Sequence, residues 1–81
     1  LPPGIAHQLA ERMLHPSLSP RELQVLQGIA KGQSNKEIAH ELGISLKTTA
    51  MFVASLLGKL DVKSRTEAVA VALKRGIITP G

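Results

Sequence analysis

The chain has 81 residues, of which 43% are hydrophobic and 20% charged. This length fits one small domain, and the composition excludes a disordered chain. The sequence contains no run of about 18 apolar residues, which a membrane-spanning helix would need. The absence of cysteine excludes disulfides, thiol chemistry and zinc sites with cysteine ligands. Ten Lys and Arg residues outnumber six Asp and Glu residues, and the formal net charge of +4 is compatible with a polyanionic partner.

The N-terminal segment differs from the rest of the chain. Apolar residues recur every four positions in Gly4–Leu14 and predict a short helix, which Pro16 ends. We assign residues 1–17 to a linker with this helix and residues 18–81 to the main domain. Because the chain begins with Leu1 rather than Met, we expect it to be part of a longer protein.

Four helices, numbered α1 to α4, are predicted in the main domain. Three of them begin with a capping box, in which a Ser hydroxyl accepts from the backbone amide of a Glu three residues later and that Glu accepts from the Ser amide. The boxes are Ser19–Glu22, Ser34–Glu37 and Ser64–Glu67. The predicted ranges are about Pro20–Lys31 for α1, from after Ser34 to Gly43 for α2, about Leu46–Leu60 for α3 and about Arg65–Arg75 for α4. The predicted fold class is all-α.

The core is predicted from apolar residues that share one side of each helix. They are Leu23, Leu26, Ile29 and Ala30 in α1, Ile38, Ala39 and Leu42 in α2, and Val53, Leu56, Leu57 and Leu60 in α3. Helix α4 differs, because residues 68–73 are all apolar and surround it on every side. One face of α4 can meet the core, and the other is expected to meet water unless a partner covers it.

The segment from α2 to α3 has the pattern of a helix-turn-helix. Gly43 can adopt the left-handed conformation that the turn needs, Ile44 fills the angle between the helices, and Ser45 caps α3. The positive end of the α3 dipole can then face a phosphate or a groove. A helical hairpin without a nucleic-acid role has the same spacing, so both interpretations stay open at this point.

Several stretches of the main domain carry a resemblance to a known family. They are residues 18–26 (LSPRELQVL), 34–39 (SNKEIA), 42–45 (LGIS), 47–48 (KT) and 59–68 (KLDVKSRTEA). Together they resemble the LuxR-type helix-turn-helix family from Leu18 to about Ile78. The segment before them resembles the linker to a phosphoacceptor receiver domain in two-component response regulators.

The resemblance implies a transcription regulator of the bacterial cytoplasm that binds double-stranded DNA. It implies that α3 enters the major groove, that α4 pairs with its copy in a homodimer, and that a receiver domain precedes this chain in the full protein. It also implies a structural contact between Glu22 and Arg65, which links α1 to α4.

Candidate site residues follow from these roles. Phosphate contacts are expected from Asn35, Lys36, Lys47, Thr48, Lys59, Lys63 and Arg65. Base contacts are expected from Thr49, Ala50, Met51, Ala54 and Ser55. The dimer contact on α4 is expected from Ala68, Val69, Val71 and Ala72.

The middle of α3 departs from the family pattern. The family usually has valine, lysine and, two residues further on, histidine where this chain has Thr49, Ala50 and Phe52, and no charged residue occurs from Thr48 to Gly58. This segment therefore cannot form the Arg or Lys contact to guanine that most often confers specificity.

Three interpretations of this departure stay open, and one of them is that these positions were changed deliberately and are not native. The apolar side chains of α3 can contact thymine methyl groups, which predicts weak and thymine-leaning selectivity. Alternatively, they form a protein-binding surface, and the domain is a degenerate helix-turn-helix module for protein interaction or dimerisation.

No catalytic or metal site is expected. The sequence has no Gly-rich phosphate loop and no nucleophile–base pair, and its three histidines are not spaced as metal ligands. We therefore expect neither enzymatic activity nor a cofactor.

Overall fold

The computed structural model of the protein describes residues 17–80, which contain four α-helices and no strand. The helices are α1 (Pro20–Ala30), α2 (Asn35–Leu42), α3 (Leu46–Leu60) and α4 (Arg65–Lys74). The predicted all-α class is confirmed, while the helix predicted over Gly4–Leu14 lies outside the described residues. Within residues 17–80 no helix has the length and apolarity needed to cross a bilayer.

Hydrogen bonds within a few residues set the start of each helix. Ser19 and Ser34 form both halves of their capping boxes. The third predicted box is wrong in one half: the Ser64 hydroxyl accepts from the Glu67 amide at 3.1 Å, but the Glu67 carboxylate accepts from the Lys63 amide at 3.3 Å. The predicted ends of α1 and α4 were one residue too long, because Lys31 and Arg75 are the C-caps.

The turn between α2 and α3 has the predicted geometry. Gly43 ends α2 in the left-handed conformation with φ +67°, and the Ile44 amide donates to the Ala39 carbonyl at 3.0 Å. The Ser45 hydroxyl then caps α3 by accepting from the Thr48 amide at 3.0 Å. These bonds close one helix and start the next within three residues, which makes the segment a helix-turn-helix.

Helix α3 lies at the centre and packs against α1, α2 and α4. Most predicted core residues are buried, but Ala30 is exposed. Val25, which was not among the predicted core residues, is fully buried. Leu23, Leu42 and Leu57 are only partly buried. Ile78, beyond the end of α4, also joins the core, which no helical pattern predicted.

Gly28 allows a close approach between α1 and α2. A Cβ atom at this position would lie 2.7 Å from Cγ1 of the buried Ile38 and 2.8 Å from Oε1 of Gln33. Any larger residue would therefore have to displace the side chains of Ile38 and Gln33.

Candidate nucleic-acid interface

Helix α3 exposes one long side to solvent. The exposed residues on this side recur at intervals of three and four, as expected for one helical face. We call them the outer stripe: Lys47, Ala50, Met51, Ala54 and Gly58. Met51 is its most prominent side chain, with 64% of its surface exposed. Ala50, Met51 and Ala54 are thus accessible to a partner, and their contact with bases stays a prediction.

Lys47 is the one charged residue of the outer stripe. It lies in the first turn of α3, beside the Ser45 cap. The Ser45 hydroxyl also donates to Oγ1 of Thr48 at 2.8 Å, which leaves the Thr48 hydroxyl proton available for an acceptor such as a phosphate oxygen. The polar groups of α3 that can meet a polyanion are therefore concentrated at its N-terminal end.

Thr49 belongs to the inner side of α3. Its side chain is fully buried, and its hydroxyl donates to the Ser45 carbonyl at 3.0 Å. The prediction that Thr49 contacts a base was wrong, because no base edge can reach a side chain that lies between helices.

A buried carboxylate holds a third side of α3 against α1. Glu22 is only 2% exposed, and Nζ of Lys59 donates to its Oε1 at 2.7 Å. The Ser55 hydroxyl donates to Oε2 at 2.5 Å, and the Ser19 amide donates to Oε1 at 2.7 Å. Burial alone would raise the pKa of Glu22, but the hydrogen bonds from Lys59, Ser55 and Ser19 outweigh it and lower that pKa to about 2. Glu22 is therefore ionised and fully partnered.

This network changes three predicted roles. Ser55 and Lys59 point to Glu22, so the structure does not support Ser55 as a base contact or Lys59 as a phosphate contact. The predicted pair between Glu22 and Arg65 was also wrong. A carboxylate takes the nearest donors that packing brings to it, and here these are on α3 rather than α4.

Arg65 instead joins the start of α4 to the start of α2. Its guanidinium donates to Oδ1 of Asn35 and, at 2.9 Å, to the Gln33 carbonyl. The Asn35 amide and the guanidinium each keep further N–H donors. Their phosphate contacts therefore stay predictions, while their structural role is visible.

Three exposed lysines lie near helix starts. Lys36 is in the first turn of α2, Lys47 is in the first turn of α3, and Lys63 is just before α4. Among residues 17–80 the one ion pair is Glu22–Lys59, so these three ammonium groups have no carboxylate partner within that range. They are the strongest remaining candidates for phosphate contacts.

The exposed face of α4 is not the one predicted to form the dimer contact. Ala68 and Ala72 are fully buried in the core of the same chain, so their assignment to a dimer contact was wrong. The exposed apolar side of α4 borders a surface groove of about 540 Å³ beside the end of α1. Its lining includes Ile29, Gln33, Arg65, Val69, Ala70 and Leu73. Val71 does not line this groove, whereas Ala70 and Leu73, which the prediction omitted, do.

Comparisons with known proteins agree with this architecture. The family described as "Bacterial regulatory proteins, luxR family" matches residues 16–72. The chain is 39% identical over 74 residues to the transcriptional regulatory protein LiaR of Bacillus subtilis, covering 91% of this chain and 35% of LiaR. It is 39% identical over 75 residues to the transcriptional regulatory protein FixJ of Bradyrhizobium diazoefficiens, covering 93% of this chain and 36% of FixJ.

A solved structure of a response regulator has the same fold as this chain. The chain superposes on the response regulator ChrA of a heme-sensing two-component system with a TM-score of 0.75 and 35% identity. The match covers 96% of this chain and 40% of ChrA. The chain therefore spans about a third of the length of the curated relatives it matches.

Proposed function

Because this chain belongs to the luxR family of bacterial regulatory proteins, we propose that it is the DNA-binding domain of a transcription regulator. In this proposal α3 docks in the major groove of double-stranded DNA. The observation that carries it is the exposed outer stripe of α3, which follows the turn at Gly43 and includes Lys47, with the exposed Lys36 and Lys63 at the starts of the neighbouring helices.

In the proposed mechanism, one set of residues binds phosphates and a second set holds α3 in position. Lys36, Lys47 and Lys63 neutralise phosphates, and the Thr48 hydroxyl donates to a phosphate oxygen beside the N-terminal end of α3. The buried Thr49 and the bonds from Ser55 and Lys59 to Glu22 fix α3 on the rest of the domain. The position of α3 is thus set before DNA arrives, which lowers the entropic cost of binding.

Salt dependence of duplex binding tests this proposal. Fluorescence anisotropy with a labelled duplex of mixed sequence should give an affinity that falls with salt, with a log–log slope of about −3 per monomer for three neutralised phosphates. Lys47→Ala should make this slope shallower by about 1. Lys74→Ala is the matched control, because it removes the same charge from an exposed position on α4 and should leave the slope unchanged.

Two results would contradict the proposal. Absence of salt-dependent binding by the wild-type chain would contradict DNA binding itself and favour the protein-interaction alternative. An equal effect of the two lysine substitutions would contradict docking through α3, because net charge alone would then explain the affinity.

For the full-length protein, the domain is proposed to be the output half of a response regulator in the bacterial cytoplasm, preceded by a receiver domain. The support is that this chain corresponds to only part of ChrA, a response regulator of a two-component system. Phosphorylation of that receiver would then act by changing how many domains are paired on DNA.

Pairing of two copies is proposed to use the exposed side of α4. Leu73 is 40% exposed, and together with Val69 and Ala70 it gives the groove beside α1 an apolar wall that a second copy can cover. Leu73→Glu should shift sedimentation towards the monomer, with Lys74→Ala as the control on the same helix. An unchanged monomer–dimer profile for Leu73→Glu would exclude this surface.

A further inference from the structure

We propose that the outer stripe recognises thymine methyl groups, so that the domain prefers duplexes with thymine at the bases under α3. This inference rests on the proposed function, because it concerns what α3 contacts once it is in the major groove. It assigns sequence preference to Ala50, Met51 and Ala54, and phosphate binding to the lysines around them.

The polar side chains that follow the first turn of α3 have their donor groups engaged within the domain. Thr49 is buried and bonded to the Ser45 carbonyl, while Ser55 and Lys59 donate to Glu22. Between Lys47 and Gly58 the exposed side chains of α3 therefore offer no free hydrogen-bond donor, because the exposed residues are Ala50, Met51, Ala54 and Ser55, and the Ser55 hydroxyl proton is already bonded to Glu22. None of these donates a conventional hydrogen bond to guanine or adenine, so discrimination has to come from apolar contact.

The shape of the stripe suits that contact. It extends over eleven helical steps, or roughly 16 Å at 1.5 Å per residue, compared with a major groove about 12 Å wide. Ala50 and Ala54 have no atoms beyond Cβ, so the helix can lie close to the base edges. Met51 stands between them, 64% exposed, with a flexible and polarisable side chain that can adapt to a protruding group.

Thymine is the base with such a group. Its C5 methyl projects into the major groove, whereas cytosine has hydrogen at that position. Burying one methyl-sized group is worth about fourfold in affinity, which corresponds to about 0.8 kcal/mol. Two copies of α3, each covering one methyl group, would give a preference on the order of tenfold.

Replacing thymine by uracil tests the inference, because it removes the methyl group and keeps the base pair. The 81-residue chain is titrated by anisotropy into an alternating dA·dT duplex and the matched dA·dU duplex, at equal salt. We expect dA·dU to bind about fourfold to tenfold more weakly. A dG·dC duplex carrying 5-methylcytosine should bind more tightly than the unmethylated one for the same reason.

Variants of the stripe separate direct contact from an effect of the methyl group on DNA stiffness. Met51→Gln keeps the length of an exposed side chain but makes it polar, and Ala54→Ser adds one hydroxyl. In the double variant the dA·dT to dA·dU ratio should fall below about twofold while the salt slope stays that of the wild type. Thr66→Ser, an exposed substitution on α4, should leave the ratio unchanged.

The outcomes are distinct. Salt-dependent binding with equal affinity for thymine and uracil would overturn this inference and leave the proposed function standing. A thymine preference that survives in the double variant would also overturn it, because DNA shape rather than the stripe would then be recognised. No salt-dependent binding to any duplex would overturn both.

Discussion

The two long faces of α3 have opposite chemistry and opposite tolerance to change. The inner face packs Val53, Leu56 and Leu60 into the core, each at most 8% exposed. The outer stripe carries one lysine, two alanines, a methionine and a glycine, and Met51 touches mostly solvent. The same helix therefore serves as the centre of the fold and as the proposed partner surface.

This difference indicates how the domain separates stability from recognition. Polar groups of α3 that could have bound a partner bond within the domain: Ser55 and Lys59 donate to Glu22, and Thr49 donates to the backbone. The outer stripe can then change without affecting the core, whereas a change on the inner face affects all four helices.

The largest difference is expected between Leu56→Ala and Met51→Ala. Leu56 is fully buried, so its truncation leaves a cavity and should lower the free energy of unfolding by about 2–5 kcal/mol. Met51→Ala should change it by less than about 0.5 kcal/mol, because the side chain is exposed. Urea denaturation of both variants measures this difference, and similar losses would show that the two faces are not independent.

The next effect concerns the charge of Glu22 and its dependence on pH. A carboxylate whose pKa is lowered from 4.5 to about 2 contributes about 3 kcal/mol of stability. That contribution is fully present above about pH 5 and is lost as the pH falls through about 2, because protonation then costs the folded state its bonds to Lys59 and Ser55. Glu22→Gln should lower stability at pH 7 and make its pH dependence between 5 and 2 shallower.

The control for Glu22 is Glu37→Gln. Glu37 also has a pKa lowered by hydrogen bonds from the Ser34 amide and hydroxyl, but it is exposed and belongs to the cap of α2. The Glu37→Gln variant should therefore lose nearly as much stability at low pH as the wild type does. If both variants had equal pH profiles in urea denaturation, the buried network would not be the main source of acid sensitivity.

Substituting alanine for a glycine should lower stability at the inner position Gly28 and raise it at the exposed position Gly58. Gly28→Ala gains up to about 1 kcal/mol of helix propensity but places Cβ 2.7 Å from Ile38, and this overpacking costs about 1–3 kcal/mol. We expect a net loss of about 1 kcal/mol. Gly58→Ala has no atom within 4 Å of the new Cβ and should gain up to about 1 kcal/mol. A shift of both melting temperatures in the same direction would contradict the difference in packing.

The smallest change in stability is expected for Ala50→Lys. The position is exposed on the outer stripe, so the free energy of unfolding should stay within about 0.5 kcal/mol of the wild type. Binding to duplex DNA should strengthen, with a salt slope steeper by about 1, because a cation is added where the family usually has one. Unchanged affinity would mean that this face of α3 does not approach DNA.

Much of the fold could be predicted because its signals are local. Each cap at Ser19, Ser34 and Ser45 is formed within three residues along the chain, and Gly43 ends α2 by its own backbone conformation. The exposure of Ala50, Met51 and Ala54 was also predictable, since helical periodicity together with apolar neighbours places them opposite the core. The predicted contact of Thr49 with a base failed because a threonine hydroxyl can bond to the backbone one turn earlier and then be buried.

The predicted partners of charged side chains failed for a different reason. Glu22 meets Ser55 and Lys59, which are 33 and 37 positions away, and Arg65 meets Asn35 across 30 positions. Pairs at such separations depend on how the helices are rotated and spaced against one another. Ala68 and Ala72 illustrate the same limit, because an all-apolar helix does not indicate which of its sides faces the core.

The sequence by itself determined four helices, their limits to within a residue, the turn that joins α2 to α3, and the lack of charge between Thr48 and Gly58. The tertiary structure alone decided which side of α4 is buried, which donors Glu22 recruits and which groups of α3 remain to face a partner. The physical reason is the range of the forces: caps and helical periodicity act over three or four residues, whereas burial and ion pairing depend on side chains that only packing brings together.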